Sequence, residues 1–216
     1  MKNIRVWIQH HPSRAELLPT LIASTGLPTE VVTDDAPDPP SPWRGYQLCL
    51  RRVATGSAEY GVILQDDVVL CKNFGPAVAQ IAIANDDAPV VLFLGALPIP
   101  TAARANKAMK KGEHYVDLAL RDFCPVVGML WPRHKAQEFL GWVAEKDKFP
   151  NERSDDAVTG YWVSDTTQRI RVALPSLVQH PDHESIIHPK RAKSGADRGR
   201  VALNFCEGDP LEVDWS

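Results

Sequence analysis

Residues 61–68 read GVILQDDV, an apolar run that ends in two adjacent aspartates. A short apolar run without polar alternation is typical of a strand buried on both faces of a parallel sheet. Carboxylates are costly to bury without a partner, so a pair at the end of such a strand indicates a site. A divalent cation with oxygen ligands, Mg²⁺ or Mn²⁺, would suit one carboxylate together with a diphosphate. The alternative is a turn in which the aspartates cap the following segment.

Strand and helix patterns alternate outward from this run. Residues 4–9 and 29–33 have the composition of strands, residues 43–55 and 74–84 have helical spacing, and residues 89–94 form a second apolar run. Such alternation is typical of βαβ units, whose ligands bind at the carboxyl ends of the strands. We therefore predict an α/β fold: a single domain with a mostly parallel central sheet flanked by helices.

The second half of the chain is less regular. Strands are predicted at 126–131 and 169–174, and helices at 134–144 and from residue 157 onward. Residues 97–113 are polar and lysine-rich, and we predict a mobile surface excursion there. No internal repeat is visible in the sequence.

A basic C-terminal segment, residues 188–216, follows the predicted domain at residues 1–187. Residues 188–200 contain five lysines or arginines against one aspartate. Such a run suits a solvated tail, or a lid that closes on a bound diphosphate. Contact with the phosphates of DNA is a third interpretation.

Composition argues against several classes of protein. The 216 residues carry a formal net charge of −3, whereas domains that coat nucleic acids are usually basic. No apolar run approaches the roughly 20 residues of a membrane span, and the N-terminal residues do not resemble a signal peptide. The four cysteines are widely spaced and match no zinc-binding pattern. We therefore expect a cytoplasmic protein that has no membrane span and whose cysteine thiols are reduced.

Two further features lie near the ends of predicted elements. Asp155 and Asp156 directly precede a helix. Either one would serve as an N-cap, or as a general base that takes the proton of an acceptor hydroxyl. His180 follows the last predicted strand. A lone histidine is usually structural, but as a nitrogen ligand His180 would complete a mostly oxygen site for a divalent cation.

In their combined order these pieces resemble a known family over most of the chain, from residue 4 to about residue 187. The family is the lipopolysaccharide and collagen-modifying glycosyltransferases of GT-A fold. The similar stretches are the first strand with Arg14, Trp43-Arg44-Gly45, Ile63-Leu64-Gln65-Asp66-Asp67, Leu92-Phe93-Leu94-Gly95, Pro125-Val126-Val127-Gly128, Asp155-Asp156, and Leu174-Pro175-Ser176-Leu177-Val178-Gln179-His180.

The resemblance implies a catalytic and metal-binding role for five of these residues. Asp67 would hold the metal, and His180 would close its coordination. Asp66 would face the ribose of the donor or the water shell of the metal. Asp156 would be the catalytic base, with Asp155 as the second choice.

The resemblance also implies residues that contact the donor. Gly128 would lie in a glycine-containing loop beside the donor sugar, and Arg14 and Arg44 would contact the nucleotide. Gln65 stands where the family usually has an acidic residue. If that position contacts only the nucleotide, glutamine can hydrogen-bond equally well. If it tunes metal affinity, the substitution weakens metal binding and leaves room for an inactive relative.

The expected function is transfer of a sugar from a nucleoside-diphosphate sugar to an acceptor hydroxyl, with inversion and with Mn²⁺ or Mg²⁺. A UDP-sugar is the expected donor. The acceptor is a glycan, a protein or a hydroxymethylated base in DNA. The small size suits an enzyme encoded by a bacterium or a phage. Paired aspartates with a histidine also suit a metal-dependent nucleotidyltransferase or phosphohydrolase. A nucleotide-sugar-binding module without turnover is the non-enzymatic alternative.

Overall fold

The computed structural model describes residues 2–34, 41–146, 154–181 and 201–215. The strands are β1 (Ile4–His10), β2 (Thr29–Thr33), β3 (Tyr60–Gln65), β4 (Val69–Leu70), β5 (Val90–Val91), β6 (Tyr115–Asp117), β7 (Gly128–Pro132), β8 (Arg171–Ala173) and β9 (Val178–Gln179). The α-helices are α1 (Leu18–Thr25), α2 (Pro42–Thr55), α3 (Phe74–Ala84), α4 (Ile99–Met109), α5 (Arg133–Glu145) and α6 (Asp155–Thr166). Two short 3₁₀ helices lie at Pro12–Leu17 and Pro210–Glu212.

Within the described ranges, seven strands form the central sheet, in the order β2-β1-β3-β7-β5-β8-β6. Strands β1, β2, β3, β5 and β8 run in one direction, and β7 and β6 run against them. The prediction of an α/β fold with a mostly parallel sheet flanked by helices is confirmed. The antiparallel insertion of β7 beside β3 is not visible in the sequence pattern.

The two faces of the sheet carry separate apolar cores because successive side chains of each strand point to opposite faces. One core lies under α2, α5 and α6 and is rich in large aromatic residues, with Trp43, Trp131, Phe139 and Trp162 almost fully buried. The other lies under α1 and α3 and is mainly aliphatic. Burial on both faces explains why the strands read as continuous apolar runs.

A second, two-stranded sheet fixes the loop between β3 and β4. Strands β4 and β9 pair in antiparallel register, with Val69 opposite Gln179 and Leu70 opposite Val178. The pairing continues with a hydrogen bond from the Cys71 amide to the carbonyl of Leu177 at 3.0 Å. This ribbon brings the residues just before β4 beside the residues just after β9.

Residues 201–215 pack back against the body of the protein. The Ala202 amide donates to the side chain of Gln179 at 2.8 Å, Asn73 donates to Asp209, and the hydroxyl of Tyr115 donates to the carbonyl of Trp215. The Trp215 side chain itself is buried. Residues 182–200 lie outside the described residues, and the whole basic run at 188–200 is among them.

Two stretches differ from the sequence predictions. Residues 97–113, predicted as a mobile excursion, contain helix α4, which buries Thr101, Ala102, Ala105 and Ala108. Alanines are small enough to lie directly against the sheet, so this helix lacks the large apolar residues that usually reveal a buried face. The apolar run at 89–94 forms a ladder only over Val90–Val91. No helix within the described ranges is long and apolar enough to cross a bilayer.

Candidate metal and donor site

Asp66 is held at the carboxyl end of the parallel strands β1 and β3. Gln9 pairs with Gln65 in the register of these strands, so His10 and Asp66 emerge side by side. The Asp66 Oδ2 atom lies 3.1 Å from the Nδ1 atom of His10 and accepts the backbone N–H of His11 at 2.7 Å. Its Oδ1 atom accepts from the Nη1 atom of Arg14 at 3.0 Å. Both oxygens of this buried carboxylate are therefore engaged within the protein.

Asp67 has fewer partners than its neighbour. Its side chain is 2% exposed, and its Oδ2 atom lies 2.7 Å from the Nη1 atom of Arg14. Its Oδ1 atom is buried and has no hydrogen-bond partner among the described residues. A buried oxygen without a partner is costly, so this atom is suited to a ligand that the protein itself does not supply.

His180 faces Asp67 across the β4–β9 ribbon. Its Nε2 atom lies 3.4 Å from Asp67 Oδ2, and its side chain is 4% exposed. Its Nδ1 atom lies 2.6 Å from the carbonyl oxygen of Pro181. A carbonyl oxygen only accepts, so Nδ1 carries a proton, and in the neutral ring Nε2 presents its lone pair toward Asp67.

Asp67 and His180 fit a divalent cation as two of its ligands. A carboxylate oxygen and an imidazole nitrogen are both ligands that Mn²⁺ accepts. Two adjacent ligands of an octahedral ion with bonds of about 2.1 Å lie roughly 3.0 Å apart, close to the separation found here. Among the described residues no three His, Cys, Asp or Glu side chains form a metal-binding group. Water and substrate phosphates would supply the other ligands, as they usually do for Mg²⁺.

The three other residues predicted to contact the donor lie in different settings. The Arg44 guanidinium binds the carboxylate of Asp34, with distances of 2.7 Å from both Nε and Nη2. Gln65 is the last residue of β3 and is half-buried. Its backbone amide donates to the carbonyl of Val127. Gly128 is the first residue of β7 rather than part of a loop.

Gly128 is explained by packing. A Cβ atom at this position would lie 2.7 Å from Cγ2 of Val178 and 3.3 Å from Cδ2 of Leu64. Strand β9 therefore approaches β7 so closely that only glycine fits without a shift. The expected loop is absent here because residue 128 already pairs with Leu64 in the sheet.

Asp155 and Asp156 form the first turn of α6, and Ser154 occupies the N-cap position. The Asp155 Oδ1 atom accepts the amide of Asp156 at 3.0 Å. The Asp156 Oδ1 atom accepts the amide of Val126, also at 3.0 Å. Because the next residue, Val127, accepts the amide of Gln65, these bonds hold Asp156 at the same edge of the sheet as the first aspartate pair.

The second aspartate pair has strongly raised pKa values. Burial, and then the neighbouring charge of Asp156, raise the pKa of Asp155 to about 8. Burial also raises the pKa of Asp156 to about 6, although the hydrogen bond from the amide of Val126 opposes the shift. Burial therefore favours the protonated form of both carboxyl groups, and more strongly at Asp155 than at Asp156. A carboxylate with a pKa near the working pH is suited to general-base chemistry.

The structure thus places Arg14 against both Asp66 and Asp67, and His180 against Asp67, while Arg44 is engaged by Asp34. Sequence analysis missed His10, which lies against Asp66. The available signal was its position, because His10 ends β1 next to the strand that leads to the aspartates.

Comparisons by sequence identify no relative. No family model matches the sequence, and no curated protein matches it.

Comparisons by structure find similar folds at low identity. A mutant of Drosophila β-1,4-galactosyltransferase 7, solved with manganese, UDP-Gal and xylobiose, has a TM-score of 0.48 and 10% identity, over 90% of this chain and 76% of that chain. A protein from STIV has a TM-score of 0.46 and 15% identity, over 97% of both chains. Mannose-1-phosphate geranyltransferase from Thermus thermophilus has a TM-score of 0.39 and 12% identity, over 80% of this chain and 73% of that chain. At these values the likenesses carry no argument about activity.

Proposed function

We propose that the protein is a metal-dependent glycosyltransferase that moves a sugar from a nucleoside-diphosphate sugar to an acceptor hydroxyl. The main support is Asp67, whose buried Oδ1 atom lacks a partner and whose Oδ2 atom lies 3.4 Å from Nε2 of His180. This arrangement fits a cation that arrives with a diphosphate. The resemblance of the sequence to GT-A glycosyltransferases supports the same function.

Asp67 and His180 would hold the cation at the carboxyl end of the sheet. The cation would offset the negative charge that develops on the departing diphosphate. Asp66 differs from Asp67 because it fixes His10, the amide of His11 and Arg14 in place, and so orients the residues around Asp67. The bond from Nδ1 of His180 to the carbonyl of Pro181 fixes the ring so that Nε2 points inward.

Asp156 would take the proton from the acceptor hydroxyl as that oxygen attacks the anomeric carbon. Its raised pKa makes it a stronger base than an exposed aspartate. The pKa of Asp155 is raised further, so Asp155 is the member of the pair that holds a proton more tightly. A single displacement of this kind inverts the configuration at the anomeric carbon.

Several finer parts of the proposal come from the sequence. We propose a UDP-sugar as donor, a glycan, a protein or a hydroxymethylated DNA base as acceptor, and the cytoplasm of a bacterium or phage-infected cell as location. Residues 1–187 would form the GT-A domain. A lid or tail role for the basic run at 188–200 falls outside the described residues and stays a prediction.

The first test is a thermal-shift screen of nucleotide-sugars and nucleoside diphosphates with Mn²⁺, with Mg²⁺ and with EDTA. A ligand at 100 times its dissociation constant stabilises by about 2.7 kcal/mol. We expect one nucleotide to stabilise the protein only with metal, and Asp67→Ala to abolish that effect. The matched control is Asp87→Ala, which removes an exposed aspartate. Absence of any nucleotide effect under every metal condition would contradict the proposal.

Product analysis separates the competing functions. A transferase releases a nucleoside diphosphate and leaks some donor to water. A nucleotidyltransferase or phosphohydrolase releases pyrophosphate or phosphate instead. A binding module without turnover releases nothing, although the thermal shift remains.

A further inference from the structure

Arg14 lies where a metal ion would compete with it. Its Nη1 atom is 3.0 Å from Asp66 Oδ1 and 2.7 Å from Asp67 Oδ2, so one nitrogen bridges both aspartates. The Arg14 side chain is 15% exposed, whereas the two carboxylates are almost fully buried. A positive charge at this place offsets two negative charges that would otherwise repel each other.

The oxygen that binds Arg14 is also the oxygen that faces His180. Asp67 Oδ2 contacts Nη1 of Arg14 at 2.7 Å and Nε2 of His180 at 3.4 Å. A divalent cation held between Asp67 and His180 would lie within a few ångströms of the guanidinium, and two like charges at such a distance repel strongly. Metal binding therefore requires Arg14 to leave Asp67.

A diphosphate offers the displaced guanidinium a new partner. Guanidinium groups bind phosphate oxygens through two parallel N–H donors, and the diphosphate would arrive on the same metal. Arg14 has a short path to it, because the bond to Asp66 keeps its side chain at the mouth of the site.

We propose that Arg14 is an exchangeable counter-ion: it holds the two carboxylates when no metal is bound, and it transfers to the diphosphate when metal and nucleotide bind together. This inference rests on the proposed function. Its consequence is that metal alone binds weakly, and that metal and diphosphate strengthen each other's binding. Couplings between sites typically amount to factors of about 5 to 150.

The test compares wild type with Arg14→Gln. Binding of Mn²⁺ alone is followed by electron paramagnetic resonance, and binding of UDP at saturating Mn²⁺ by calorimetry. We expect Mn²⁺ alone to bind roughly tenfold more tightly to Arg14→Gln, and UDP roughly tenfold more weakly. Damage to the fold would weaken both. The control is Arg52→Gln, which removes an arginine of 64% side-chain exposure and should alter neither affinity.

The outcomes separate this inference from the proposed function. If the wild type binds neither Mn²⁺ nor UDP, both are wrong. If the wild type binds Mn²⁺ and UDP but Arg14→Gln binds Mn²⁺ no more tightly, only the exchange is wrong. If Arg14→Gln does not fold, Arg14→Lys replaces it, with an unchanged Mn²⁺ affinity and a weaker UDP affinity expected. A UDP affinity equal to that of wild type in the lysine variant would overturn the inference.

Discussion

Two pairs of adjacent aspartates lie at the same edge of the sheet, but their electrostatic surroundings are opposite. Asp66 and Asp67 are surrounded by cationic or basic side chains, with Arg14 on both of them. Asp155 and Asp156 have no ion pair within the described ranges, and burial raises the pKa of each. Neighbouring positive charge balances the first pair, whereas burial favours the protonated forms of the second.

The difference originates in the elements that carry each pair. The first follows β3 and meets the end of β1, where His10 and the turn toward Arg14 lie in close reach. The second opens helix α6, and the hydrogen bonds that it accepts come from the backbone amides of Asp156 and Val126. Amides at a helix start favour a carboxylate, but they supply less than a full charge. Desolvation therefore dominates at the second pair.

The largest expected effect comes from Asp156→Asn. Asparagine keeps the acceptor for the amide of Val126 but cannot take a proton. Loss of a general base typically lowers turnover by about 10²–10⁴-fold. We expect that loss in a transfer assay, together with an unchanged metal-dependent thermal shift on donor binding.

Asp165→Asn on the same helix is the matched control. Asp165 is 45% exposed and pairs with Lys146, so its removal should leave turnover unchanged. Near wild-type turnover in Asp156→Asn would show that Asp156 is not the base. Asp155 or another residue would then have to take the proton.

The next effect separates the two members of the first pair. Asp66→Ala removes the partner of buried His10 and one of the two carboxylates that hold Arg14, and the loss of such a buried hydrogen-bonding partner costs up to about 3 kcal/mol. Asp67→Ala keeps the contacts of Asp66 and should reduce stability less, while it abolishes Mn²⁺-dependent stabilisation by nucleotide. Urea unfolding without metal checks the first statement. Equal losses of stability in both variants would show that Asp66 does not have a larger structural role than Asp67.

The second pair predicts a dependence of stability on pH. Because the folded pKa of Asp155 is raised from 3.8 to about 8, the folded state binds this proton more tightly than the unfolded chain. The resulting stability is complete below about pH 4 and is lost as pH rises through 8. We expect Asp155→Asn to lose less stability than wild type between pH 5 and 9 in unfolding experiments. Parallel curves for the two proteins would contradict the raised pKa.

Turnover should also follow the ionisation of the second pair. A general base acts only when deprotonated, so on the role proposed for Asp156 turnover should rise with pH and level off above its raised pKa of about 6. A profile that is flat from pH 5 to 8 would argue against Asp156 as the base.

The smallest effect tests the packing that supports the first pair. Gly128→Ala would bring a methyl group to 2.7 Å from Val178, whose strand β9 leads directly to His180. Overpacking of this kind costs about 1–3 kcal/mol. We expect a lower Tm and weaker Mn²⁺ binding.

The control for Gly128→Ala is Gly141→Ala in helix α5. Its new Cβ would meet nothing within 4 Å, so helix propensity should make this variant equally or more stable. Unchanged Mn²⁺ affinity in Gly128→Ala would show that the ribbon tolerates the shift.

Sequence patterns predicted the α/β class because β1, β3, α2 and α3 are long enough to show their periodicity. Strands β4 and β9 are two residues each, too short for any pattern, so the ribbon that joins His180 to Asp67 was not predictable. The resemblance nevertheless placed His180 and Asp67 in one site, and the structure has them in contact. Asp66 and Asp67 differ in their contacts with Arg14 and His10. These two residues are distant in sequence and meet the aspartates only after folding, so the difference was not predictable.

The β4–β9 ribbon also sets an order of events during synthesis. Residues 69–70 can be in place early, but their partners at 178–179 leave the ribosome only after most of the chain has been made. Arg14 precedes both aspartates in the chain, whereas His180 follows them by more than a hundred residues. The contact between Asp67 and His180 is therefore among the last side-chain contacts of the fold that can form.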